Sequence, residues 1–193
     1  MTQVISFDVG IKNMAYCVME CNENNTWNII TLEKIDLGCN PKNAKTQKIV
    51  DATLDVLDDI IMTKIDISKK IHVLIETQMT SIMKCIQTVI NTFFKIQAKY
   101  QGIDIETHYM SPRHKLNLME AYKDTYKPKI YGDNVNQYKR NKGDAIDFGE
   151  WLLVNKYNSN QDVLVSMQES KKKDDEMDSF LMAAYFVETL PKR

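Results

Sequence analysis

The hydrophobic pattern divides the chain into short apolar runs and longer stretches with a helical stripe. Residues 3–9 (QVISFDV) are almost continuously apolar and β-branched, which predicts a buried strand. Residues 14–20 (MAYCVME) and 26–37 (TWNIITLEKIDL) predict two more strands, separated by the turn-forming CNENN. Three strands with such short joins imply an antiparallel meander. In residues 43–63, Ile49, Thr53, Val56, Leu57, Ile60 and Ile61 recur at helical spacing and predict a helix laid on a sheet. Residues 71–76 (IHVLIE) predict a fourth strand. Residues 80–99 predict a second, more apolar helix, with Ile82, Cys85, Ile86, Val89, Ile90, Phe93 and Phe94. Residues 103–109 (IDIETHY) alternate as a fifth strand would. Further on, residues 143–157 read as a helix with Trp151 and Leu152 on its apolar side. The last helix runs from about Asp174 to Leu190, striped by Met177, Phe180, Leu181, Ala184 and Val187. The order of elements is β-β-β-α-β-α-β followed by helices, with no internal repeat.

Composition narrows the class. The chain has 193 residues, 44% hydrophobic and 26% charged, which suits one domain with a real core. No run approaches the roughly 18–20 apolar residues of a membrane-spanning helix. The N-terminus has neither a basic n-region nor an apolar h-region, so no secretory signal is expected. The four cysteines (Cys17, Cys21, Cys39, Cys85) include no CxxC pair and are expected to be reduced thiols. With the three histidines (His72, His108, His114) scattered along the chain, a structural zinc site is not expected.

The net charge is −1, which taken alone argues against a nucleic-acid binder. The charge is unevenly spread, however. From Arg113 to Lys142, eight basic residues face three acidic ones, and Tyr122, Tyr126, Tyr131 and Tyr138 lie among them. That stretch is expected to meet a phosphate backbone, with its tyrosines stacking on opened bases.

Carboxylates carry the strongest chemical signal. Asp8 interrupts the first strand and Glu76 ends the fourth, each after an apolar run. Asp175 and Asp178 stand three apart on the last helix, so their side chains are neighbours. Asp174 just before them reads as the helix cap. Taken singly, each of these acids fits a strand exit or a helix N-terminus. Together they do not, because ionised carboxylates are costly to bury unless paired or bound to metal. A right-handed crossover through the first helix pairs the first and fourth strands in parallel and brings Asp8 beside Glu76. The last helix can then lay Asp175 and Asp178 across both strand ends. Such an all-oxygen cluster favours Mg²⁺ or Mn²⁺, and two such ions suit the hydrolysis of a phosphodiester.

The segments FDVGIKNMAYCVME (7–20), VLIETQ (73–78), KGDAIDFGEWL (142–152) and DDEMDSFLMAAYF (174–186) resemble the poxvirus-type branch of the RuvC-like Holliday junction resolvases, in the RNase H-like superfamily. The resemblance implies an α/β RNase H-like fold: a mixed five-stranded sheet, meander plus parallel strands, flanked by helices in a single domain over 1–193. It implies a two-metal nuclease with Asp8, Glu76, Asp175 and Asp178 as ligands and Mg²⁺ as the ion, two per site, replaceable by Mn²⁺. A lysine also belongs to the active site of this branch. Lys142 fits that role best, with Lys139 and Lys115 as alternatives. Lys12, Arg113, Lys115, Lys139 and Arg140 are expected to bind DNA. The implied activity is paired, symmetric nicking of four-way junctions with 5′-phosphate ends, resolving concatemeric or recombining viral DNA in the cytoplasm. The implied partners are branched DNA and a second copy of the chain, through the helix at 80–99, with no small-molecule cofactor. The alternatives are a ribonuclease H acting on RNA–DNA hybrids and a non-catalytic junction-binding protein.

Overall fold

A computed structural model describes residues 1–129, 136–159, 163 and 173–190, with only the backbone of Tyr138, Asn158 and Ser159. The expectations for Tyr131 and for the Tyr138 side chain lie outside the described residues. The strands are β1 (Thr2–Asp8), β2 (Met14–Cys21), β3 (Trp27–Ile35), β4 (Lys70–Glu76), β5 (Ile105–Met110) and the two-residue β6 (Asn158–Ser159). The helices are α1 (Thr46–Thr63), α2 (Ser81–Gln101), α3 (His114–Ala121), α4 (Gln137–Asn155) and α5 (Asp174–Thr189).

The sheet runs β5-β4-β1-β2-β3-β6. β1, β2 and β3 form the antiparallel meander, and β4 joins β1 in parallel through the α1 crossover, as the apolar runs imply. β5 adds to β4, also in parallel. The short β6 on the edge of β3 extends the expected five strands to six.

The pleat sends alternate side chains to two cores. Ile5 and Phe7 of β1 and Ile71, Val73 and Ile75 of β4 pack beneath α1 and α2. Val4 and Leu74 face the opposite way, into a core built with α3, α4 and α5. The α2 residues Ile86, Ile90, Phe93 and Phe94 are all buried in the first core. The apolar stripe proposed as a dimer surface is therefore used in covering the sheet.

Two helices differ from the sequence reading. α4 starts at Gln137, six residues before the expected start, because Asn136 caps it by accepting the Lys139 backbone N–H at 2.9 Å. α3 carries no apolar stripe that periodicity could reveal, and only Leu118 of its residues is buried. The tyrosines also differ. Tyr126 is buried with its ring centroid 5.0 Å from that of Phe148, and Tyr122 lies 5.8 Å from Phe148 and Trp151. These two side chains fix the 122–126 turn to α4 and are not presented to bases. No described helix is long and apolar enough to cross a membrane.

Candidate active site

The parallel strands β1, β4 and β5 all end at one edge of the sheet, so the segments leaving them converge there. Asp8 is the last residue of β1 and Glu76 the last of β4. Gly10 follows because a Cβ at that position would lie 2.9 Å from the Asn13 carbonyl oxygen, and the tight turn into β2 has no room for one. In the Glu-Thr-Gln segment, Gln78 reaches back and donates to Glu76 Oε2 at 2.9 Å. Its own backbone N–H is held by Gln87 Oε1 of α2 at 2.8 Å.

α5 crosses this edge and is pinned to β1 by one buried bond: Ser6 Oγ donates to the Ser179 carbonyl at 2.6 Å. Ser6 and Asp8 share a face of β1, so the bond sets Asp178, next to Ser179, against Asp8 and Glu76. Gly149 of α4 sits against the Met177 side chain, where any Cβ would run into its sulfur, and brings α4 close to the start of α5. Asp174 does not cap the helix. It is the first helical residue, and its carboxylate bridges to Lys142 of α4.

The centre of the cluster is Lys115. α3 delivers it, held on α5 by His114 stacked flat on Tyr185 with centroids 4.5 Å apart. Lys115 Nζ lies 3.1 Å from Glu76 Oε1 and 2.8 Å from Asp178 Oδ2. Of the expected metal residues, the fold thus gathers Asp8, Glu76 and Asp178 around a lysine that the sequence assigned mainly to DNA. Asp175 lies a turn earlier on α5, within electrostatic reach of Asp174, Asp178, Lys142 and Lys34. Lys142 stands at this outer side. Lys34 of β3 is a further basic neighbour that sequence reasoning missed, lying 3.8 Å from the buried Glu176. Its signal was only a single lysine in an otherwise strand-like run.

The electrostatics are those of crowded carboxylates. Burial and the adjacent Glu76, which shares a hydrogen bond with it, push the Asp8 carboxyl well above the ordinary carboxylate range. Burial and Asp174 raise Asp175. Burial raises Asp178 too, although Lys115 opposes the shift. Burial alone would lower the Lys115 ammonium, but Asp178, Glu76 and Asp8 outweigh it and raise its pKa.

This donor set fits divalent cations of the magnesium class. All its candidate ligand atoms are carboxylate oxygens, and Asp175 Oδ2 is buried with no hydrogen-bond partner among the described residues. Of the expected DNA-binding residues, Lys115 lies in the cluster itself. Lys12 lies in the turn after β1, Arg113 in the segment after β5, and Lys139 and Arg140 in the first turn of α4.

The sheet order, the α1 crossover and the helix laid across the strand ends are those of the RuvC-like RNase H fold. Structures from three sources share it. The fowlpox virus resolvase bound to its substrate Holliday junction DNA matches with a TM-score of 0.57 and 19% identity, over 98% of this chain and 99% of that one. The yeast mitochondrial Holliday junction resolvase Ydc2 matches with a TM-score of 0.65 and 16% identity, over 95% and 78%. Thermus thermophilus RuvC in complex with a Holliday junction substrate matches with a TM-score of 0.58 and 10% identity, over 98% and 97%. No curated protein matches the sequence. Residues 2–123 match the model of the poxvirus A22 protein family, and the chain belongs to that family.

Proposed function

We propose that this chain is a Holliday junction resolvase, a divalent-metal-dependent endonuclease that nicks two opposed strands of a four-way DNA junction. The observation that carries the reading is the convergence of Asp8, Glu76 and Asp178 around Lys115 at the ends of two parallel strands. The four-way-junction ligands of the fowlpox and Thermus structures and the poxvirus family membership support the substrate class.

In this reading Asp8, Glu76, Asp175 and Asp178 hold two magnesium ions, for which manganese substitutes. When bound, such ions supply Lewis-acid charge to an attacking water and to the leaving 3′ oxygen. The protein does the rest. The β1 and β4 termini fix two carboxylates rigidly, and α5 presents the other two from a helix face. Lys115, beside Glu76 and Asp178, would neutralise charge on the scissile phosphate, and Lys142 supports Asp174 from α4. Products carry 5′-phosphate and 3′-hydroxyl ends. Lys12, Arg113, Lys139 and Arg140 hold the flanking backbone and give salt-dependent affinity. The whole chain acts as one domain, and one site makes one cut, so a two-fold dimer supplies the pair that a junction requires. Its substrates would be branched viral replication and recombination intermediates in the cytoplasm.

The test is Asp178→Asn and Asp175→Asn, assayed for nicking and for junction binding by gel shift. Both variants are expected to bind the junction and to lose cleavage. A variant that cuts like the parent removes its residue from the site.

A further inference from the structure

Far from the carboxylate edge, the parallel register of β4 and β5 brings together two histidines that are 36 residues apart in sequence. His72 pairs with Glu106, and Leu74 pairs with His108. His72, Glu106 and His108 therefore share the face turned toward α5. Among the described residues, they are the one group of three or more metal-ligating side chains whose ligand atoms all lie within 4.8 Å of one another.

The geometry is specific. His72 Nδ1 is 3.1 Å from His108 Nε2 and 3.3 Å from Glu106 Oε2, and His108 Nε2 is 3.9 Å from the same Glu106 oxygen. In a triangle with these sides, the point equidistant from the three atoms lies about 2.0 Å from each, the bond length of zinc to imidazole nitrogen and carboxylate oxygen. The surroundings hold the trio in place. Lys70 Nζ takes the other carboxylate oxygen of Glu106 at 2.8 Å, which leaves Oε2 facing the imidazoles. Phe186 of α5 walls the site, with its centroid 5.1 Å from the His72 ring and 5.0 Å from the His108 ring. His72 is buried, His108 half-buried and Glu106 exposed, which leaves a path for an ion and a water as fourth ligand.

We propose that His72, Glu106 and His108 form a second metal site, for a divalent transition metal of the zinc class, which clamps the edge strand β5 to β4. Two imidazoles and one carboxylate select such a metal over magnesium, which prefers oxygen alone. The site is separate from the carboxylate cluster. His72 precedes Glu76 by four residues on β4, about 13 Å along an extended strand. Strand register rather than sequence spacing brings these three side chains together.

The experiment titrates the chelator-treated full chain with Co²⁺ alone, then displaces it with Zn²⁺. The parent is expected to give visible d–d bands of a four- or five-coordinate nitrogen and oxygen site, saturating at one ion per chain and bleached by Zn²⁺. Asp178→Asn is expected to keep the bands, whereas His108→Gln and Glu106→Gln lose them. His108 is half-buried and Glu106 exposed, and each variant is checked for folding by circular dichroism. Zinc held at a hundred times its Kd should raise the parent melting temperature by about 5–10 °C and leave Glu106→Gln unmoved. Bands that survive in both His108→Gln and Glu106→Gln, or that vanish in Asp178→Asn, overturn the proposal. So does a parent without such bands, whose two histidines would then only share a hydrogen bond.

Discussion

Replacing Lys115 with methionine removes a cation that sits between Glu76 and Asp178. Methionine is only one atom shorter than lysine and as unbranched, so little packing is lost. What it takes away is a pair of ion contacts at 3.1 and 2.8 Å, with only 13% of the lysine side chain and 12% of the Glu76 side chain exposed. Removing one partner of a buried ion pair leaves an uncompensated charge and costs about 3–5 kcal/mol. For a chain of this size that lowers the melting temperature by about 6–20 °C. Lys142→Met provides the contrast. It also loses a carboxylate contact, but 43% of its side chain is exposed, and such a pair contributes under about 1 kcal/mol. Calorimetry in EDTA should therefore separate the two variants clearly. Magnesium should return much of the loss in Lys115→Met, because the ions take over the role of the ammonium. Cleavage by Lys115→Met should still fall by about 10²–10³, the usual effect of removing one group that stabilises transition-state charge. If Lys115→Met melts with the parent in EDTA, or if Lys142→Met is the more damaging change, Lys115 is not the centre of the cluster.

Two further outcomes follow from the same site. Burial and Glu76 push the Asp8 carboxyl up to about 9, so its contribution to stability is full below the ordinary carboxylate range and is lost progressively as the pH rises to about 9. Asp8→Asn should thus be more stable than the parent in EDTA, by a margin that grows from about pH 5 to 7 and shrinks when magnesium is added. Equal melting curves at both pH values would show that Asp8 is not strained by its neighbours. Removing both cations in Lys139→Ala/Arg140→Ala, in an Asp178→Asn background that blocks cutting, should flatten the salt dependence of junction affinity. The expected change in the slope of log K against log salt is about 2, read by fluorescence anisotropy, and an unchanged slope would take these residues away from the DNA.

The parts of the fold written in local pattern were legible in the sequence. Asp8 and Glu76 stood out because each ends an apolar run, and the parallel pairing of β1 with β4 follows from the crossover rule. Asp175 and Asp178 stood out because a helix period puts them on one face. The hidden parts depend on tertiary register. α3 has no apolar stripe, so the helix that carries Lys115 into the cluster left no periodic trace. Tyr126 lies among basic residues and reads as surface, yet it is buried against Phe148 because the chain turns back onto α4. His72 and His108 meet only because β5 pairs in parallel with β4, and no spacing within the sequence encodes that. The stripe of α2 was visible, but periodicity reports that a face is apolar and not which neighbour covers it.

The central claim is tested most directly by offering a synthetic mobile four-way junction, with an RNA–DNA hybrid beside it, in magnesium and in EDTA. Paired, symmetric nicks in opposed strands of the junction are expected, bearing 5′-phosphates, present in magnesium and absent in EDTA. Cutting that persists in EDTA, preferential cutting of the hybrid, or junction binding without cleavage in either magnesium or manganese would contradict it.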